Sequence, residues 1–181
     1  LSRPAGLYIN HPDGRIRKRT QDYVKALINF CGDLGGSVMI HGSPPQRNVQ
    51  EGWDREECWK RTVDLFAGCT DTLADRGVTY CIEALTTHET NFIICMADAM
   101  RMVRDVDHPN FQTMLDCKAA AAEDKAHVDV IAEGGKAIRH VHVNDPNLRG
   151  PGFGNLAFTP IVQALKNRGY QGYLSVEVFK F

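Results

Sequence analysis

The sequence lacks an excess of charge of either sign and lacks a long apolar run. Its 181 residues carry 21 Lys and Arg against 22 Asp and Glu, a formal net charge of −1. No global field therefore favours nucleic acid or an anionic membrane. No run approaches the roughly 18 apolar residues of a membrane span, and no signal-peptide pattern opens the chain. We expect a cytoplasmic protein without a nucleic-acid or membrane partner.

Paired cysteine motifs and nucleotide-binding glycine motifs are also missing. None of the six cysteines forms a CxxC pair, and several sit among apolar residues. Buried free thiols in a reducing compartment fit this pattern better than a disulfide framework. Neither GxGxxG after the first strand nor GxxxxGK[ST] occurs, so little indicates a nucleotide site. The chain begins at Leu1 without an initiator Met, and we expect a fragment or a processed product.

What the sequence does contain is a regular alternation of short β-branched runs and longer helical segments. Strands are predicted over 6–10, 37–42, 78–85, 111–116, 137–145 and 172–178. Helices are predicted over 15–34, 54–76, 91–105, 125–134 and 159–168. Six βα-type units without a composition break predict a single domain over 1–181. The fold class is α/β with a parallel sheet, either doubly wound or a (β/α)8 barrel.

Each of the last four strands ends with a side chain that can bind a metal ion. Residues i and i+2 of a strand share a face, so "CIE", "MLD", "HVH" and "SVE" each place a polar group opposite apolar neighbours. The four terminal residues are Glu83, Asp116, His142 and Glu177. They are spaced 33, 26 and 35 residues apart, each about one βα repeat.

In a barrel these four side chains would converge at the carboxyl-end mouth, where barrel enzymes place their chemistry. Three carboxylates buried together would repel one another, and a divalent cation removes that repulsion. Three carboxylates and one imidazole suit Mn²⁺, Mg²⁺ or Co²⁺ better than an ion that prefers thiolates. The pattern predicts one divalent cation per site.

Two of the four, Glu83 and Glu177, also suit proton transfer. They would come from different sides of the mouth, with a small-molecule sugar substrate between them. A cation that polarises a carbonyl acidifies the adjacent C–H, so one glutamate can remove the proton and the other can deliver one to the opposite face. This predicts an isomerase or epimerase of a ketose or related hydroxy-carbonyl sugar acting through an enediolate. The same first step starts β-elimination, so a sugar or cyclitol dehydratase on the same site is the alternative.

Several stretches carry a family resemblance: "IEAL" with "ET" six residues on, "MLD", "HVHVNDPNLRGPGFG" and "GYLSVEVF". They resemble the xylose-isomerase-like (β/α)8 superfamily, within it the sugar phosphate isomerase/epimerase group with its ketose 3-epimerases and hydroxypyruvate isomerases. The likeness runs from about "DYVKALINFCGDLGGSVMIHGSP" to the end of the chain. It implies the same four ligands for an Mn²⁺- or Mg²⁺-type ion, with the two glutamates as the acid/base pair. It also implies that Glu89 and Arg149 contact the substrate.

The chain departs from this family at one position near the proposed site. Family epimerases usually read D-x-x-H after the sixth strand, with the histidine touching substrate. Here the run is "DCKAAAAED", and Ala119 fills that place. Lys118 is the candidate replacement for the missing contact.

Length is the second departure. A complete barrel has about 250 residues, so the resemblance implies that the first two βα units are absent and that the chain supplies strands 3–8. Because an open barrel exposes strand edges, we expect completion by another copy in a homo-oligomer, an altered closure, or a fragment of a longer product. The alternative from another class is a non-catalytic protein of binding or assembly. Apurinic-site endonucleases of the superfamily need more histidines and a basic groove, which the net charge of −1 argues against.

Other polar residues close to the strand ends complete the candidate site. His41 ends the "VMIH" strand, and we expect it to point into the mouth and contact substrate. His140 lies one pleat below His142 and is expected to support it. Asn144 and Asp145 either orient His142 or cap the next turn.

Overall fold

The computed structural model describes residues 4–180, which form one five-stranded parallel sheet. The strands are β1 (Val38–His41), β2 (Thr79–Ile82), β3 (Phe111–Asp116), β4 (Ile138–Val143) and β5 (Leu174–Val176). Each strand pairs with the next along the chain, in the order β1-β2-β3-β4-β5. A doubly wound sheet reverses its strand order, whereas a barrel does not. The sheet is therefore an open part of a barrel, which confirms the predicted α/β barrel class.

Helices occupy every connection between neighbouring strands. They are α1 (Gly14–Asp33), α2 (Arg55–Ala67), α3 (Thr70–Arg76), α4 (Met96–Val106), α5 (Cys117–Ala120), α6 (His127–Gly134) and α7 (Phe158–Asn167). Side-chain caps fix three of their starts. Asp13 accepts from Arg15 N and Asp54 from Glu57 N, both at 2.8 Å, and Asp116 accepts from Ala119 N at 2.6 Å. Within residues 4–180, no helix has the length and apolar character needed to span a bilayer.

The helices cover one face of the sheet with two apolar clusters. Leu65 and Phe66 of α2 and Ile82 of β2 belong to the first. Val141 and Val143 of β4 belong to the second, beneath α6 and α7. Because alternate residues of a strand point to opposite faces, burying these valines leaves His142 on the other face. All six cysteines have free thiols, four of them buried.

Three predicted elements differ from the structure. Residues 6–10 form turns and bends, with Ile9 N donating to Gln46 O at 3.0 Å, so the described residues hold five strands and not six. The helix predicted over 54–76 is broken into α2 and α3 after Gly68, where a Cβ would collide with the Gln21 amide of α1. The helix predicted from residue 91 begins at Met96, because Ile93 has a left-handed φ of 61° that no α-helix accepts.

The open sheet leaves apolar side chains in solvent at both edges. Within residues 4–180, β1 and β5 have strand partners on one side only. Leu34 beside β1 is 71% exposed, and Tyr173 and Val176 of the β5 edge are 78% and 63% exposed. Exposed apolar strand edges are open to pairing with further chain. Completion by another copy stays a prediction.

Candidate metal centre

Four side chains meet at the carboxyl ends of β2 to β5. Glu83 follows β2, Asp116 ends β3, His142 lies near the end of β4 and Glu177 follows β5. The strand register places Asp116 beside His142, and His142 beside Ser175. One ligand atom from each of the four lies within 4.8 Å of the other three. Parallel strands in register thus bring together groups that are distant in sequence.

The imidazole of His142 points its Nδ1 atom into the three carboxylates. Oxygens of Glu83 and Glu177 each lie 3.4 Å from this nitrogen, and an oxygen of Asp116 lies 3.7 Å away. The atom is buried and has no hydrogen-bond partner among the described residues. A buried nitrogen without a hydrogen bond is costly. A nitrogen ringed by carboxylate oxygens is the donor set expected around a divalent cation.

Burial and crowding shift the acid–base behaviour of this cluster. Burial alone lowers the pKa of His142, but Asp116, Glu177 and Glu83 together outweigh it and raise the pKa to about 11. Burial raises the pKa of Glu83, and the Asp116 and Glu177 carboxylates raise it further. Both shifts show the same physical need for positive charge at the centre, which either a proton or a cation can supply.

Asp116 is held by donors on two sides. Its Oδ1 accepts from Ala119 N at 2.6 Å, and its Oδ2 accepts from Asn144 Nδ2 at 2.7 Å. Burial opposes ionisation, but the His142 ring and these donors outweigh it and hold the pKa of Asp116 below its ordinary value. The same Asn144 amide donates to Glu177 Oε2 at 3.3 Å. Asn144 therefore links two of the three carboxylates.

A cavity of about 420 Å³ is lined by three of the four residues, and we call it the site cavity. Glu83, His142 and Glu177 line its floor, while Glu89, Lys118 and Phe179 line its wall. Lys118 Nζ donates to Glu89 Oε1 at 2.8 Å and lies 5.3 Å from the centre of the Phe179 ring. A volume of this size is in the range of small-ligand sites.

Two residues that the sequence analysis did not single out shape the site. Arg47 is fully buried and donates to the carbonyl oxygens of Glu83 and His41, which fixes the ends of β1 and β2. Gly42 lies so close to Glu83 that a Cβ there would collide with the carboxylate. A glycine directly after a strand was the available signal for Gly42, whereas nothing in the local pattern distinguishes Arg47 from a surface arginine.

The family model of the xylose isomerase-like TIM barrel matches residues 1–181. The chain belongs to this family.

Its relatives include sugar epimerases. A D-psicose 3-epimerase of Ruminiclostridium cellulolyticum is 27% identical over 175 residues, covering 94% of this chain and 59% of that protein. A D-psicose 3-epimerase of Agrobacterium fabrum is 30% identical over 126 residues, covering 70% of this chain and 44% of that protein. The solved structure of an L-ribulose 3-epimerase superimposes with a TM-score of 0.89 at 25% identity, covering 98% of this chain and 60% of that chain. The matched part of the chain thus spans 44% to 60% of the length of these relatives.

Two of the residues predicted to contact substrate, His41 and Arg149, do not line the site cavity. His41 points to the helix layer, where its Nδ1 is 2.6 Å from Tyr80 Oη and its ring packs on Phe66. Successive side chains of β1 point to opposite faces of the sheet. Ile40 faces the site cavity, so the neighbouring His41 faces the helices. Arg149 is exposed in the loop after β4 and is not among the residues that line the site cavity.

The expected supporting residues divide into two groups. The His140 ring lies edge-on to the His142 ring, with centroids 5.2 Å apart, as expected of a residue one pleat below. Asn144 binds the carboxylates of Asp116 and Glu177. Asp145 instead orders the following loop, because its carboxylate accepts from Leu156 N at 3.2 Å. Glu89 and Lys118 both line the site cavity, and their contact with substrate stays a prediction.

Proposed function

We propose that this chain forms the metal-binding part of a divalent-cation-dependent isomerase or epimerase acting on a ketose or related hydroxy-carbonyl sugar. The observation that carries the proposal is the position of His142 Nδ1, buried and surrounded by oxygens of three carboxylates. Two relatives named D-psicose 3-epimerase support the reaction class. The chain spans less than two-thirds of these relatives' length, so the whole protein's activity is part of the proposal.

Glu83, Asp116, His142 and Glu177 would hold the cation, because their ligand atoms all lie within 4.8 Å of one another. Three hard oxygen donors and one imidazole suit Mn²⁺, Mg²⁺ or Co²⁺. When bound, such an ion supplies positive charge that polarises a carbonyl and acidifies the neighbouring C–H.

Glu83 and Glu177 would act as the acid/base pair. One carboxylate removes the proton from the carbon next to the carbonyl, which leaves an enediolate. The other, as a carboxylic acid, returns a proton to the opposite face of that carbon in epimerisation. In isomerisation it returns the proton to the former carbonyl carbon, while the neighbouring hydroxyl proton moves to the former carbonyl oxygen. The two differ in surroundings, since the side chain of Glu83 is 7% exposed and that of Glu177 is 36% exposed. Paired carboxyl groups in unlike environments can carry different protonation states.

Glu89 and Lys118 would hold the sugar. Their ion pair lies on the wall of the site cavity, above the ligand residues, and offers both an acceptor and donors to hydroxyl groups. Ala119 leaves no side-chain donor at the position that resembles the family's histidine, so the polar contact to substrate on this side would come from Lys118.

Solvent deuterium exchange tests the proposal. In D₂O with Mn²⁺, the purified chain should place deuterium on the carbon next to the carbonyl of at least one ketose in a panel, and a chelator should stop the exchange. Glu177→Gln should abolish exchange. The matched surface variant Glu133→Gln should leave it unchanged, because Glu133 pairs with Lys125 and does not line the site cavity. Exchange that persists in Glu177→Gln would contradict the two-glutamate mechanism. Release of water with an unsaturated product would assign a dehydratase.

A further inference from the structure

A second cavity adjoins the site cavity and differs from it in chemistry. It has a volume of about 510 Å³, and we call it the apolar cavity because most of its exposed lining is apolar. The apolar lining residues are Ala121, Ala122, Pro146, Leu148 and Phe179, and the polar ones are Thr86, His88, Glu89 and Lys118. The two cavities share Glu89, Lys118 and Phe179 as lining residues. The two cavities therefore meet at the Lys118–Glu89 pair and the Phe179 ring.

The contrast between the two linings indicates what each would hold. The site cavity offers carboxylates, an imidazole and an ammonium group, which suit the hydroxyl groups of a sugar. Apart from Thr86, His88 and the shared Lys118–Glu89 pair, the apolar cavity offers methyl groups, a proline ring, a leucine and a phenyl ring. Sugar hydroxyls placed against the apolar part of this lining would lose hydrogen bonds to water without gaining others, whereas a hydrocarbon group would gain by leaving water.

Leu148 is placed in this wall at a cost in backbone energy. Its φ of 71° lies in the left-handed region, which disfavours a leucine. The strained residue is held by three main-chain hydrogen bonds: its N–H donates to Asp145 O at 2.8 Å, and its carbonyl accepts from Phe179 N and Lys180 N at 2.9 and 3.0 Å. The same bonds tie the two largest apolar side chains of the wall, Leu148 and Phe179, to each other. Strain that is held in place in this way is typical of ligand sites.

Small residues keep the opposite wall open. Ala121 and Ala122 close the run of four alanines that begins at Ala119, and both face solvent at the rim of the apolar cavity. Because both alanines line the apolar cavity, we expect a larger side chain at either position to reduce its volume. This gives a way to fill the cavity without disturbing the core.

We infer that the apolar cavity is a second subsite, which takes an apolar substituent attached to the sugar bound over Glu83, Asp116, His142 and Glu177. The substrate class is then a substituted hydroxy-carbonyl sugar, such as a sugar ether or a sugar with an aryl or alkyl amine, and not a free ketose alone. This inference rests on the proposed function, because it needs a sugar in the site cavity.

Binding of three probes in the presence of Mn²⁺ tests the inference by calorimetry: D-fructose, 1-O-benzyl-D-fructose and 6-O-benzyl-D-fructose. At least one ether should bind about tenfold more tightly than D-fructose, since partial burial of an aromatic ring gains about that much. Ala122→Leu should remove this advantage and leave the affinity for D-fructose within about twofold. The matched control Ala132→Leu, at an exposed position on α6, should change neither.

A second variant approaches the subsite from its other wall. Leu148→Gly removes the apolar side chain at a backbone conformation that glycine prefers, so it should keep or raise thermal stability while reducing the advantage of the ether.

The outcomes separate the two proposals. If D-fructose binds and neither ether binds more tightly, or if Ala122→Leu leaves the advantage intact, the subsite is wrong and the proposed function stands. If neither D-fructose nor the ethers bind while Mn²⁺ does, the sugar-binding function fails and the subsite fails with it.

Discussion

The side-chain amide of Asn144 donates a hydrogen bond of 2.7 Å to Asp116, and both residues are buried. The same nitrogen reaches Glu177 at 3.3 Å, while the amide oxygen accepts from Lys118 N at 2.8 Å. One uncharged residue thus connects the ends of β3, β4 and β5. Glu177 needs such a connection, because it follows a three-residue edge strand and its side chain is 36% exposed.

Asn144→Ala should weaken cation binding by about 10- to 100-fold, the usual effect of losing a partner that orients metal ligands. Without the amide, Glu177 loses a donor from the core, and Asp116 loses one of its two. The measurement is Mn²⁺ affinity by calorimetry, together with thermal unfolding in the presence of a chelator.

Asn10→Ala provides the matched control, because Asn10 is equally buried and its amide donates to the carbonyl of Arg47, outside the carboxylate cluster. This variant should lower the melting temperature and leave Mn²⁺ affinity within about twofold. Equal losses of cation affinity in the two variants would show that Asn144 has only a general packing role.

Cation binding should strengthen with pH. In the cation-free chain the three carboxylates raise the pKa of His142 to about 11 against burial, so the ring carries a proton at neutral pH. A cation must displace that proton, since an imidazole ligand binds in its neutral form. Mn²⁺ affinity should therefore rise by up to about tenfold per pH unit between pH 6 and 8. Calorimetry in buffers of different ionisation enthalpy should count about one proton released.

The stability of the cation-free chain should depend on pH in the opposite direction. The pKa of His142 in the folded chain lies above the ordinary value of 6.5. The contribution of the protonated ring to the free energy of unfolding is therefore complete below about pH 6.5 and is lost as the pH rises towards 11. Denaturant unfolding with a chelator should show falling stability across this range. Cation affinity that does not change between pH 6 and 8 would contradict the raised pKa.

The positions that the sequence predicted well depend on the period of a strand. Alternation within "MLD" and "HVH" decides which face carries Asp116 and His142, and parallel pairing then places them side by side. The same alternation predicts which face of β4 the helices cover. Val141 and Val143 alternate with His140 and His142, so the two valines lie together on the apolar face. Such two-residue periods are local, so they can be read from the chain without its tertiary structure.

The positions that the sequence predicted poorly depend on non-local packing. His41 ends β1 with its side chain on the face of the strand that packs against α2. Only the position of Phe66 in the folded protein shows that this face is apolar. Arg47 lies in a loop, where an arginine is ordinarily exposed, yet its donors reach two carbonyl groups at strand ends. Arg149 is in a loop whose course is set by Asp145 and by main-chain hydrogen bonds. Loop courses of this kind have no period to read.

Lys118→Met should destabilise the fold by about 1–3 kcal/mol at pH 7, because Glu89 would lose its charged partner inside the site cavity. Lys118 and Thr86 together outweigh burial and hold the pKa of Glu89 below its ordinary value. The Lys118–Glu89 pair therefore stabilises the fold fully at pH values above the ordinary pKa of a glutamate. This stabilisation is lost as the pH falls through the lowered pKa of Glu89. Denaturant unfolding of variant and parent should show a gap that narrows between pH 7 and pH 3.

Lys125→Met is the control for this comparison. Lys125 pairs with Glu133 at the same 2.8 Å, but its side chain is 43% exposed against 10% for Lys118. A surface pair contributes at most about 1 kcal/mol, so Lys125→Met should cost less and show little dependence on pH. Equal effects of the two variants would mean that the Lys118–Glu89 pair is solvated like a surface pair.

Gly42→Ala should weaken cation binding while leaving the fold stable. A Cβ at residue 42 would occupy the place of the Glu83 carboxylate, and the side chain of Glu83 can swing aside because the colliding atom is its terminal oxygen. The carboxylate would then leave the other three ligand residues, and Mn²⁺ affinity should fall by at least about tenfold. Gly14→Ala is the control, since its Cβ would meet only Arg17 Nη2 at 3.7 Å, an ordinary contact. If Mn²⁺ affinity stays unchanged in Gly42→Ala, Glu83 does not contribute to the cation site in the orientation seen here, and the ligand set is reduced to Asp116, His142 and Glu177.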